Sequence, residues 1–199
     1  MIHRLSLRTA YILFNHQLID FDDIDFAAYY FENGILKVIG CFLTVIVAVI
    51  TESFPGLMVF YVFYSMLRKY SGGFHCSTQL RCLLLSAITL FVIVIVKTAL
   101  FDNVNYFCGG VHMLSSLIIL IFGTVNHPNL DLNERELALN KRKARLVVTF
   151  ELSVILLALL MHVRSEYVFY MSMGITVNAI SMIVAKLSGQ EVTTHEGKD

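Results

Sequence analysis

The sequence predicts an all-α fold. It reads as a polytopic membrane helix bundle of about six transmembrane segments, the second short or re-entrant, preceded by an N-terminal amphipathic helix. Three observations predict this. Of the 199 residues, 57% are hydrophobic and 15% charged, with a mean hydropathy of +0.71, whereas a soluble domain carries about 25% charge. Residues 38–51, 53–67, 82–96, 103–130, 152–163 and 167–185 contain no Asp, Glu, Lys or Arg. The basic residues between these runs fall on alternate turns, as a membrane crossing pattern requires.

Composition also excludes several classes. Two prolines and no low-complexity tract argue against disorder, and a formal net charge of zero argues against a nucleic-acid partner. The spread of Cys41, Cys76, Cys82 and Cys108 does not suggest a disulfide framework.

Residues 1–30 are read as an N-terminal segment and not as a cleavable signal. They lack an uninterrupted apolar stretch, and Asp20, Asp22, Asp23 and Asp25 follow closely. Ile2, Leu5, Thr9, Ile12 and Leu13 recur at helical spacing, with Arg4 and Arg8 on another face. An interfacial amphipathic helix and a cytoplasmic helix packed on the domain both fit that pattern.

Residues 31–187 form the expected membrane domain. A spanning helix needs about 20 mostly apolar residues. The clearest spans are 82–101, 105–125 and 167–187. A somewhat short first span covers 35–51, with a start as early as Tyr29, and the second, 55–67, is shorter still. The fifth, 146–163, carries Glu151 near its start.

Arg4, Arg8, Arg68, Lys69, Arg81, Arg135, Lys141, Arg142, Lys143, Arg145, Lys186 and Lys198 then share one side, and the opposite turns hold only Arg164. Positive segments stay in the cytoplasm. Both termini, the loop 68–82, the loop 126–145 and the tail 188–199 are therefore expected on the cytoplasmic side of a bacterial cell membrane.

The loop 68–82 reads Arg-Lys-Tyr-Ser-Gly-Gly-Phe-His-Cys-Ser-Thr-Gln-Leu-Arg-Cys. On one continuous helix His75 and Cys82 would lie about 10.5 Å apart along the axis, out of hydrogen-bonding reach. Gly72-Gly73 permits a backbone excursion instead. Ser77 or Thr78 is a suitable cap for the following helix, so His75 sits in a loop and Cys82 about a turn inside a helix N-terminus. A helix N-terminus and a basic neighbour such as Arg81 favour the thiolate, and an imidazole in reach takes the thiol proton and returns it to a leaving amine. That chemistry is a cysteine peptidase or acyl transferase.

Spacing alone also fits a structural cysteine, because cysteine is a common small hydrophobe in apolar helices. Cys76, beside His75, is a competing nucleophile. No fourth ligand for zinc is evident, and no metal or other cofactor is implied.

Arg68 to His75 with Cys82 seven residues on resembles the signature of the accessory gene regulator B (AgrB) family. Asn126-His127-Pro128-Asn129 leading to Leu132 is similar to the family's second loop motif, although Leu130-Asp131 departs from it. The resemblance implies a membrane cysteine endopeptidase of bacterial quorum sensing. Such a protein removes the C-terminal part of an AgrD-type precursor peptide, enabling cyclisation to an autoinducing peptide, often as a homodimer. It implies Cys82 as nucleophile and His75 as its general base and acid, with Arg68 and Gly73 needed for activity. Cys76 departs from that pattern and is read as structural rather than catalytic. Lys141, Arg142 and Lys143 are a docking point for the precursor's acidic tail or a positive-inside anchor.

Gly72 and Arg81 are supporting residues on the loop reading. Glu151 is a candidate to orient His75 or to pair with Arg81. Lys97, about 22 Å from Cys82 along a straight helix, is expected to snorkel outward. The competing function is a non-catalytic membrane scaffold that binds peptides, or a small transporter, which paired charges at mid-depth would favour.

Overall fold

A computed structural model describes residues 2–76, 78–99, 104–126 and 132–191. Among them are seven α-helices and no strand: α1 (Ile2–Asn15), α2 (Ile24–Ile50), α3 (Phe54–Ser71), α4 (Gln79–Ala99), α5 (Val104–Phe122), α6 (Glu134–Leu160) and α7 (Ser165–Leu187). Each expected apolar segment is one of the helices α2 to α7. Phe21–Ile50, Leu80–Ala99 and Ser165–Leu187 are long and apolar enough to cross a membrane, and Gly110–Phe122 is a shorter apolar helix. The chain divides into two units, Met1–Ile46 and Val47–Asp199.

In the first unit α1 packs on the start of α2. Ala10, Ile24 and Ala28 are buried together, flanked by Leu7, Phe14, Ile19 and Ala27. Leu5 and Ile12 are each 55% exposed, and the small Ala10 and Ala28 side chains let the two helices approach. The α2 helix starts at Ile24, earlier than the expected span and upstream of the expected boundary at residue 30.

In the second unit α7 is the central helix, packed most closely against α3 and α5. Its small residues make this possible. A Cβ added at Gly174 would sit 2.7 Å from Phe63 Cβ and 3.0 Å from Tyr64 N, so the α3 backbone lies directly on α7. Asn178 Nδ2 donates to Tyr64 O at 3.0 Å and to Gly174 O at 2.9 Å. Ser115 Oγ lies 3.2 Å from Thr176 Oγ1 between α5 and α7. Polar side chains that bond their own or a neighbouring backbone are the kind an apolar surround tolerates.

The second segment is short, as expected: α3 is one uninterrupted 18-residue helix with Pro55 in its first turn. One expectation needs correction. The region 126–145 is largely helix, since α6 begins at Glu134. Asn133 accepts from the Glu136 N–H at 2.9 Å and Glu136 Oε2 accepts from the Asn133 N–H at 3.2 Å, a capping box that starts a helix through a run of good helix formers. Lys97 Nζ lies 2.8 Å from Glu166 Oε1, tying the end of α4 to the start of α7.

The contact at Gly174 generates a prediction. Gly174→Ala overpacks the α3–α7 seam and should cost roughly 1–3 kcal/mol, read as a lowered unfolding midpoint in detergent micelles.

Candidate active site

The loop that leaves α3 is built around Arg68. Nη1 donates to Gly72 O at 2.7 Å and to Ser181 Oγ at 2.6 Å, and Nη2 donates to Phe74 O at 2.7 Å. A planar guanidinium presents several donors in a fixed fork, which is why arginine suits a pocket of converging oxygens. Both glycines are needed by this turn. Gly72 has φ +66° and a Cβ there would lie 2.6 Å from Val125 O, and Gly73 has φ +129° and a Cβ there would overlap Arg68 Nη1. These are backbone conformations that side chains rarely adopt.

Other elements hold the same loop. Val125 N donates to Ser71 O at 2.9 Å and Thr124 Oγ1 to Tyr70 O at 2.8 Å, so the chain leaving α5 closes over the end of α3. From α7, Ser181 accepts the Phe74 N–H on its carbonyl and on Oγ, each at 3.0 Å. The His75 N–H donates to Gln190 Oε1 at 3.0 Å, and Gln190 Nε2 donates to His75 O at 2.7 Å.

The next helix begins as expected. Thr78 Oγ1 accepts a long 3.4 Å bond from Arg81 N, and the Cys82 N–H donates to Thr78 O at 3.1 Å. Cys82 is therefore in the first turn of α4, half-buried, as is Cys76. Burial first, and then the neighbouring Cys82, push the Cys76 thiol above the ordinary range, while the Arg81 charge pulls it down. The residue after His75 is thus close enough to Cys82 for the two thiols to influence each other.

The remaining candidates are placed as follows. Lys69 Nζ and Lys143 Nζ lie 5.3 and 5.7 Å from the centre of the Tyr70 ring, so the basic run of α6 meets the basic end of α3 beside the loop. The Lys141 stem packs over Gly123, where an added Cβ would lie 2.9 Å from Lys141 Cγ, and Arg142 is exposed.

Glu151 departs from expectation. It is 1% exposed, and neither carboxylate oxygen has a hydrogen-bond partner among the described residues, so it bonds neither His75 nor Arg81. It lies one turn from Val148 and Ile155 on the buried face of α6. No cluster of three metal-ligating side chains occurs among the described residues.

Of the second motif, residues 127–131 lie outside the described residues. Asn126 is buried and joins the two ends of that stretch. Its Oδ1 accepts from Leu132 N at 3.1 Å and its Nδ2 donates to Leu132 O at 3.3 Å.

Sequence reasoning missed the part played in the loop by Ser181, Gln190 and Thr124, and the influence of Cys82 on the Cys76 thiol. Ser181 and Gln190 lie more than a hundred positions from the groups they hold, so no local spacing announces them.

The thiol pair carries a prediction of definite sign. Alkylation of Cys76 by iodoacetamide should rise with pH around a midpoint above that of a cysteine in an unstructured peptide. Cys82→Ala removes two of the causes that raise the thiol and should move the midpoint part of the way down. Arg81→Gln removes the cause that lowers it and should move the midpoint further up. Mass spectrometry of the modified peptide across a pH series reads all three.

Neither curated proteins nor solved structures match this chain. The family model for accessory gene regulator B matches residues 6–183 of the 199. That family is described as cysteine-protease-like and acts in the agr quorum-sensing system. With the match covering most of its length, the chain belongs to the accessory gene regulator B family of membrane proteins.

Proposed function

We propose that this protein is a membrane cysteine endopeptidase that cleaves the C-terminal part from an AgrD-type precursor and enables its cyclisation. The observation that carries the reading is the clamped loop 72–76, which leads back toward the first turn of α4 and leaves Cys76 near enough to Cys82 for the two thiols to influence each other. His75, the residue before Cys76, has its peptide held on both sides.

The chemistry follows from those residue types. The Cys82 thiolate attacks a precursor carbonyl carbon, the C–N bond breaks, and the His75 imidazolium gives its proton to the departing amine. The N-terminal part stays on Cys82 as a thioester, and the C-terminal fragment leaves. A thiol within the precursor then attacks that carbonyl. One thioester replaces another, the ring closes, and Cys82 recovers its proton. Excluding water favours ring closure over hydrolysis, and an apolar bundle beside the loop supplies such a setting.

The basic groups around Tyr70, Lys69 and Lys143, with exposed Arg142, suit an acidic peptide segment approaching the loop. They lie at the end of the second unit that carries most of the basic residues. This supports a multi-pass arrangement with both termini and the site on the cytoplasmic side. A homodimer in the bilayer is part of the same reading.

The competing scaffold or transporter reading finds less support. Lys97 pairs with Glu166 where α4 ends and α7 begins, and the buried Glu151 has no hydrogen-bond partner among the described residues, so neither forms the mid-depth charge pair that transporters use.

Co-expression with the precursor tests the reading. Cys82→Ala should abolish release of the C-terminal fragment, and His75→Ala should reduce it at least ~100-fold, the usual share of a general acid–base. Cys76→Ala should retain cleavage. Fragment release assayed by mass spectrometry checks each outcome, and cleavage surviving Cys82→Ala would favour the scaffold.

A further inference from the structure

We infer that Gln190 is a positioning residue for the peptidase reaction: its side-chain amide pairs with both backbone groups of His75, so the C-terminal end of α7 sets where the imidazole stands. The inference rests on the reading of His75 as general base and acid given above.

The placement is built from the helix end upward. Helix α7 stops in a turn where Gly189 has φ +68°. Gly189 N donates to Lys186 O at 3.2 Å, and Gln190 N donates to Ala185 O at 3.0 Å. This is the pattern of a left-handed helix terminus, in which the residue after the glycine bonds to the carbonyl five positions back. No atom lies within 4 Å of a Cβ added at Gly189, so the glycine is required there by conformation and not by space. The turn directs the Gln190 side chain at the loop.

A primary amide carries one acceptor and a donor group side by side, the same complement that a neighbouring β-strand offers. Gln190 uses both on a single residue. It accepts the His75 N–H at 3.0 Å and donates to His75 O at 2.7 Å. The preceding peptide is held by the same helix, through Ser181 on the Phe74 N–H. Arg68 holds the carbonyls of Gly72 and Phe74 from α3. The loop is thus fixed from α3 up to Phe74 and from α7 at Phe74 and His75. The imidazole inherits its orientation from a peptide whose two polar groups end on one side chain. Misplacing a reacting group by about 1 Å costs on the order of 10²-fold in rate.

The test uses the full chain in proteoliposomes with a synthetic precursor peptide. It compares wild type, Gln190→Ala, Gly189→Ala, the double variant and Cys82→Ala. Gln190→Ala should lower kcat about 10-fold or more with KM within twofold, because the substrate-facing basic groups are untouched. Gly189→Ala strains the turn that aims Gln190 and should lower kcat by less, again at constant KM. The double variant should be no slower than Gln190→Ala alone, since both changes act through one contact. Glu191→Gln, beside it in sequence, should cleave as wild type.

Wild-type kcat in Gln190→Ala, a loss confined to KM, or full multiplication of the two single effects overturns the assignment. If Gln190→Ala fails to reach the membrane, the kcat-to-KM split of Gly189→Ala decides. Cys82→Ala separates the two levels of the argument. Cleavage by Cys82→Ala defeats the peptidase reading itself. A dead Cys82→Ala beside a fully active Gln190→Ala defeats only the role given to Gln190.

Discussion

Arg68 is the constraint on which the loop depends. Its guanidinium stands inside a turn of backbone carbonyls and touches a hydroxyl from another helix. Removing it would leave Gly72 O and Phe74 O without the donor they converge on, and unmet polar groups in an apolar surround are costly. The two glycines are the other half of the same constraint. One must pass beneath the Val125 carbonyl, and the other must leave room for the guanidinium. The basic pair, the double glycine and the histidine are thus parts of a single turn. The arginine shapes it, the glycines allow it, and the histidine is carried where it ends.

Much of this was legible in the sequence because the bilayer imposes simple patterns. Charge-free runs located the helices α2 to α7, since an unpaired charge in hydrocarbon is expensive. Gly72-Gly73 and Thr78 marked where one helix ends and the next begins, and Cys82 falls in the first turn of α4 as expected. The start of α6 was misread because polarity was taken to mean loop. Asn133 and Glu136 form a capping box visible in the sequence, and it outweighs the charge of the residues that follow. At α1 the small Ala10 makes the contact with α2, a residue that a search for large apolar side chains at helical spacing does not single out.

The polar groups in the apolar helices separate into two kinds. Some answer one another: Lys97 with Glu166, Ser115 with Thr176, Asn178 with the backbone of α3. These stitch helices together at contacts where small residues already allow close approach. Glu151 belongs to neither this set nor the loop. It is buried without a hydrogen-bond partner among the described residues, and nothing in the structure explains it. Its presence in an otherwise apolar stretch made it a natural candidate to orient the histidine. The residues that hold the His75 peptide instead come from the end of α7, more than a hundred positions away in the chain.

The central claim is that the clamped loop delivers a precursor carbonyl to the sulfur of Cys82. The most direct measurement is the intact mass of the protein quenched in acid shortly after mixing with a precursor whose internal thiol is replaced by a methyl group, so that the ring cannot close. The account predicts a mass increase equal to the N-terminal part of the precursor, located on Cys82 and released by neutral hydroxylamine as a thioester should be. An adduct on Cys76 instead, or complete fragment release with no adduct at any time point, would contradict it.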